Sequence, residues 1–191
     1  MPTNHRTQPP KRRTAVRQSQ PVAQSSNSSN LRSIARNAAL GTVAGVVATA
    51  PMTAFMEGAF HALSWRSQQP LPPRNVTRNV TRSVGLWQQL SSSERIALTL
   101  TAHFSYGGML GGLYALLVPK RYWSAPTGVV FGLLAWAGNY LGMLPMLNLH
   151  EPATRHPRER NVLMIVAHLI WGGALGSMLR FLTRPSEPQD A

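Results

Sequence analysis

Apolar residues gather into four stretches that contain no Asp, Glu, Lys or Arg: residues 37–56, 96–119, 122–150 and 161–179. An α-helix rises 1.5 Å per residue, so about 20 residues cross the ~30 Å hydrocarbon core of a bilayer. Each stretch meets that length or falls one residue short. The pattern predicts an all-α, polytopic membrane protein with four transmembrane helices, at 31–64, 96–118, 125–149 and 161–181, and excludes a soluble globular domain. Pro51 lies inside the first helix and is expected to kink it.

The polar remainder divides the chain further. Residues 1–30 are rich in Gln, Ser, Asn, Pro and Arg without apolar periodicity, which predicts a disordered basic tail. Residues 185–191 form a second, acidic tail, so the membrane domain is expected over 31–184. Between the first two spans, Arg74, Arg78 and Arg82 recur every four residues beside a stripe of Val76, Val80, Val84 and Trp87. That spacing predicts a basic amphipathic helix at 74–90 lying in the membrane interface. Asn75 and Asn79 stand in NVT triplets, which we read as coincidence within a short repeat.

Net charge changes the picture of partners. The chain carries +13, with 19 Lys and Arg against 6 acids. In a soluble chain that balance would suggest nucleic acid; here the cations flank oily segments, where they set orientation and meet anionic headgroups. The expected partner is the lipid bilayer, with a homo-oligomer or larger membrane complex open, and no nucleic acid. Four spans put both termini and the turn near Lys120 on one side with 11 cations, against 8 on the other, so cytoplasmic termini are expected.

An internal repeat orders the helices. AHFSYGGMLGGLYALL, starting at Ala102, aligns with AHLIWGGALGSMLRFL, starting at Ala167, with seven of sixteen positions identical. Gly41 and Gly45 pair likewise with Gly128 and Gly132, which predicts a duplicated two-helix hairpin related by a pseudo-two-fold axis along the membrane normal. Gly107 with Gly111 and Gly172 with Gly176 complete a GxxxG in every span, the spacing that lets backbones approach closely in lipid.

Ionisable side chains inside these spans define the candidate site. His103 and His168 occupy equivalent repeat positions, on the glycine faces of their helices, and Asn139 shares a face with Gly128 and Gly132. Glu57 lies at a comparable depth in the first helix, with His61 one turn nearer the surface on the same face, and His150 with Glu151 ends the third. Buried ionisable groups are costly unless paired and so mark function. Glu57, His61, His103, Asn139 and His168 are expected to form a proton-responsive polar site. The competing readings are neutral histidines acting as packing glue in a structural or assembly subunit, and His103 with His168 as paired ligands of a metal or haem. No cofactor or metal is assigned from the sequence. Cysteine is absent, which excludes disulfides, thiolate metal sites and cysteine nucleophiles. There is no GxxxxGK[ST], HExxH, GxSxG or paired intramembrane acid, so no enzyme activity and no catalytic residue are expected.

The QPLPPR segment at residues 69–74 and the HLIW at residues 168–171, in a glycine-rich four-span layout, resemble the YagU-type bacterial inner-membrane proteins. The resemblance implies an inner-membrane location and at most a link to acid resistance. It implies no catalytic residue.

Overall fold

The structure, a computed structural model, describes residues 22–63, 71–149 and 152–184. Among them are helices and turns, with no strand. Five helices carry the fold: α1 (Val22–Phe60), α2 (Pro72–Ser83), α3 (Ser92–Leu117), α4 (Ala125–Met146) and α5 (Arg158–Leu182). Three segments, Ser28–Phe60, Ala125–Met146 and Arg158–Leu182, are long and apolar enough to cross a membrane. Helix α3 has 26 residues, length enough to cross, but its glycines, His103, Ser105 and Tyr106 make it less apolar.

Helix boundaries follow local chemistry. Helix α1 begins at Val22, nine residues inside the stretch expected to be disordered, because adding turns to a formed helix is far less costly than nucleating one. It runs unbroken through Pro51, whose ring is exposed. Ser91 caps α3: its hydroxyl accepts from the Glu94 amide while the Glu94 carboxylate accepts from the Ser91 amide at 2.7 Å. This cap starts α3 four residues before the oily run does. The two hydrogen bonds from Ser91 hold the Glu94 carboxyl below its ordinary pKa.

Helices α1 and α3 pack antiparallel through glycine. A Cβ at Gly41 would land on the Gly111 carbonyl and one at Gly45 on the Gly107 carbonyl. Helices α4 and α5 close in the same manner, Gly128 against the Gly172 carbonyl and Gly132 against that of His168. The registers differ from the glycine alignment by one turn. Gly176 meets the carbonyl of Ser124, so with α3 and α5 superposed by their repeat, Gly45 corresponds to Gly128 and Gly41 to Ser124.

The hairpins do not meet symmetrically. Helix α1 packs along α5, whereas α3 and α4 touch sparsely, although a two-fold axis would relate these contacts. The cause is side-chain size. Ala44 and Ala48, both buried, let α1 approach α5, and Trp171 Nε1 donates to the Gly45 carbonyl at 3.3 Å. Between α3 and α4 stand Tyr114, whose hydroxyl lies 2.8 Å from Thr127 Oγ1, and Phe131, whose ring meets Tyr114 edge-on at 5.2 Å. Large rings hold these helices apart and leave a cavity beyond them.

Helix α2 lies across the start of α3. The amphipathic segment is helical only over Pro72–Ser83, and it turns Pro72, Thr77 and Thr81 inward. Val80 and Val84, expected on its apolar stripe, are exposed. In the turn after α3, Tyr122 is exposed, whereas Trp123 is buried with Nε1 donating to the Val118 carbonyl at 2.8 Å. The tail residues 1–21 and 185–191 lie outside the described residues, as do His150 and Glu151.

Candidate functional site

A cavity of about 320 Å³ opens where α2, α3, α4 and α5 converge. Its walls are chiefly apolar, with Met52, Met143, Leu144 and Met164 among them, and its polar groups are His103, Tyr106, Asn139, Tyr140, His168 and Thr77. Three of the five residues expected at the site, His103, Asn139 and His168, are thus together on one cavity.

Each imidazole is held differently. His168, nearly fully buried, places Nδ1 2.7 Å from the Met164 carbonyl. A carbonyl only accepts, so the proton sits on Nδ1, and in the neutral ring Nε2 is an acceptor. The Tyr140 ring stands edge-on to it at 6.0 Å. His103 is half-buried, and its Nε2 is buried without a hydrogen-bond partner. The two imidazoles are close enough to interact electrostatically.

Helix α4 supplies its pair of polar residues through a change of winding. Over Gly138–Met143 it opens into a π-helix, with the Leu144 amide donating to the Asn139 carbonyl five residues back. Pro145 lacks the N–H that the Leu141 carbonyl would receive in α geometry, a local reason for the wider turn. Asn139 and Tyr140 are both buried there, and the Tyr106 hydroxyl donates to Asn139 Oδ1 at 2.6 Å, bridging α3 to α4. Asn148, at φ 53°, ends α4 in the left-handed conformation that Asn tolerates, and Asn79 Nδ2 of α2 donates to the next carbonyl, Leu149, at 2.9 Å. This bond fastens α2 over the cavity.

Glu57 and His61 are not on this cavity, and both are exposed. The inward face of α1 at that level carries Met52 and Met56, so the stripe through Thr49, Thr53 and Glu57 rolls from buried to exposed along the helix. Glu57 instead borders a crevice of about 40 Å³ with Arg74 and His103. His103 therefore lies on both spaces and separates the acid from His168. Among the described residues no group of three or more His, Asp or Glu is arranged to hold a metal ion.

Sequence reasoning missed Tyr106, Tyr140, Thr77 and Arg160. Tyr106 follows His103 by three residues, a helical spacing that placed it on the same face. Arg160 resembles a span-end cation but is 3% exposed and interacts electrostatically with Tyr140. It stands in the first turn of α5, beside Asn161, whose Nδ2 donates back to the Ala153 carbonyl at 2.8 Å.

Compared with known proteins, the chain matches no family, no curated protein and no solved structure.

Proposed function

We propose that this is a small integral membrane protein in which α1, α3, α4 and α5 all cross the bilayer, and that the cavity of His103 and His168 is a proton-responsive site. The observation that carries this reading is the paired imidazoles, one from each hairpin, facing one cavity with His103 Nε2 unpartnered. Protonation turns that nitrogen from acceptor to donor and places a cation in the cavity wall. The groups that would feel it are Glu57 of α1, Arg74 of α2, Tyr106 of α3, Tyr140 of α4 and His168 of α5. A new charge among these groups alters the contacts that hold α2 and α4 over the cavity. An inner-membrane location, cytoplasmic termini and a role in acid resistance belong to the same proposal, in line with the resemblance to the YagU-type proteins.

Acid survival or proton flux, compared at neutral and acid pH, should fall with His103→Gln plus His168→Gln and with Glu57→Gln, while expression stays normal. Variants that match the parent at every pH would overturn the proton-responsive reading. A stoichiometric companion retained through detergent purification in that case would favour the assembly-subunit reading.

The topology has its own test. Cysteine is absent from the chain, so single cysteines at exposed Val80, Arg121 and Arg184 report sidedness directly. Labelling by an impermeant maleimide should place 121 and 184 on one side and 80 on the other. Finding 80 and 121 on the same side would rule out the four-span arrangement.

A further inference from the structure

Outside the histidine cavity, a crevice of about 300 Å³ lies between α2 and the first turns of α3. Arg74, Arg78 and Arg95 line it together with Trp87 and Ile96, and no acid lines it among the described residues. Arg95 is fixed in place: Nε and Nη2 donate to the Trp87 carbonyl at 3.2 and 2.9 Å, and the guanidinium lies 4.6 Å above the indole. Its Nη1 edge takes no part in those bonds. Arg78 donates Nη2 to Asn75 Oδ1 at 3.0 Å, while its Nε is buried with no acceptor. Glu94, the nearest acid in sequence, is exposed and folded back on Ser91, which donates to it from both amide and hydroxyl.

A buried N–H of a charged group left without an acceptor is costly, so this crevice is chemically incomplete as it stands. What it lacks is an anion with several oxygens, and guanidinium forks match a phosphate with paired hydrogen bonds. Location narrows the choice. Helix α2 connects α1 to α3, so in the four-span reading, on which this inference rests, the crevice sits at headgroup level with Ile96 and Trp87 on its lipid side.

We propose that this crevice is a phosphate-binding site that takes the headgroup of an anionic phospholipid, its phosphate oxygens received by Arg78 and Arg95 and its acyl chains lying against Ile96 and Trp87. The site would tie α2, and through Asn79 the cover of the cavity, to the lipid composition of that leaflet.

The test uses the full chain in detergent and three probes: short-chain phosphatidylglycerol, short-chain phosphatidylcholine and inorganic phosphate. Phosphatidylglycerol should bind more tightly than phosphatidylcholine, and Arg78→Gln should weaken it about tenfold, the worth of one lost charge-assisted bond. Arg78→Gln plus Arg95→Gln should remove the preference. Because Arg95 also braces Trp87, Arg78→Gln alone carries the decision if the double variant misfolds. Arg82→Gln plus Arg121→Gln, both exposed and outside the crevice, should leave binding unchanged. Inorganic phosphate that binds the parent but not Arg78→Gln, with phosphatidylglycerol held no better than phosphatidylcholine, would keep the phosphate site and assign it to a soluble phosphate, overturning the lipid as its occupant. Equal binding of phosphatidylglycerol by the parent and Arg78→Gln would overturn the site. Failure of the membrane reading looks different: the protein would leave membranes on alkaline washing, whatever its lipid preference.

Discussion

Gly172→Leu is expected to abolish assembly of the α4–α5 hairpin, and Gly107→Leu that of α1–α3. A Cβ at Gly172 would meet the Gly128 carbonyl, and one at Gly107 the Thr49 side chain with the Gly45 carbonyl behind it. Ordinary overpacking costs about 1–3 kcal/mol because side chains can shift. At Gly172 the obstacle is backbone, which cannot move without separating the helices. Even Gly172→Ala should therefore lower the unfolding midpoint in detergent, and Leu should leave little folded protein. Gly58 and Gly138 supply the control, since a Cβ at either meets nothing within 4 Å. Gly58→Ala should be neutral or stabilising by up to about 1 kcal/mol. Equal loss at Gly58 and Gly172 would show that helix flexibility, not close approach, is what glycine supplies.

Trp171→Ala should lower stability by about 3–5 kcal/mol, the usual cost of emptying a large buried site. Trp171 is 3% exposed, bonds the Gly45 carbonyl and packs against Phe131 at 6.2 Å, so it joins α5 to both α1 and α4. The hairpins should loosen from each other while each keeps its own glycine contact. Trp171→Phe should recover part of the loss, lacking only the Nε1 bond. Trp136 provides the contrast: half-buried, with Nε1 unpartnered, it should tolerate Phe with little change or a gain, because that substitution removes a buried donor with no acceptor. Thermal unfolding of the three variants beside the parent in one detergent separates these outcomes.

Where the chain forms helices was readable because lipid imposes a length and a charge rule that charge-free stretches satisfy plainly. The sharing of a cavity by His103, His168 and Asn139 was also readable, since each histidine sits one helical turn, and Asn139 two, from a glycine that packs. Glu57 was not, because α1 turns its methionines inward at that level and carries the acid to the surface. Asn139 and Tyr140 are buried side by side through a π-turn, and that turn depends on Pro145, whose effect acts upstream of itself. The unequal contact between hairpins escapes any repeat alignment. It is set by where Trp171, Tyr114 and Phe131 fall, which are positions the two halves do not share.

The modest apolarity of α3 has a consequence for how the protein is made. Helix α3 carries Gly107, Gly108, Gly111 and Gly112 in its buried surface, and α1 covers that surface along its length. Alone in a bilayer the segment would expose His103, Ser105 and glycine backbone to lipid chains, a weak signal for partitioning out of an aqueous insertion channel. Helix α1 is synthesised first and is more apolar. In the four-span arrangement, α3 then enters the membrane as the second limb of a pair, sheltered by a helix already there, and the α1–α3 glycine contact shapes biogenesis as well as the finished bundle.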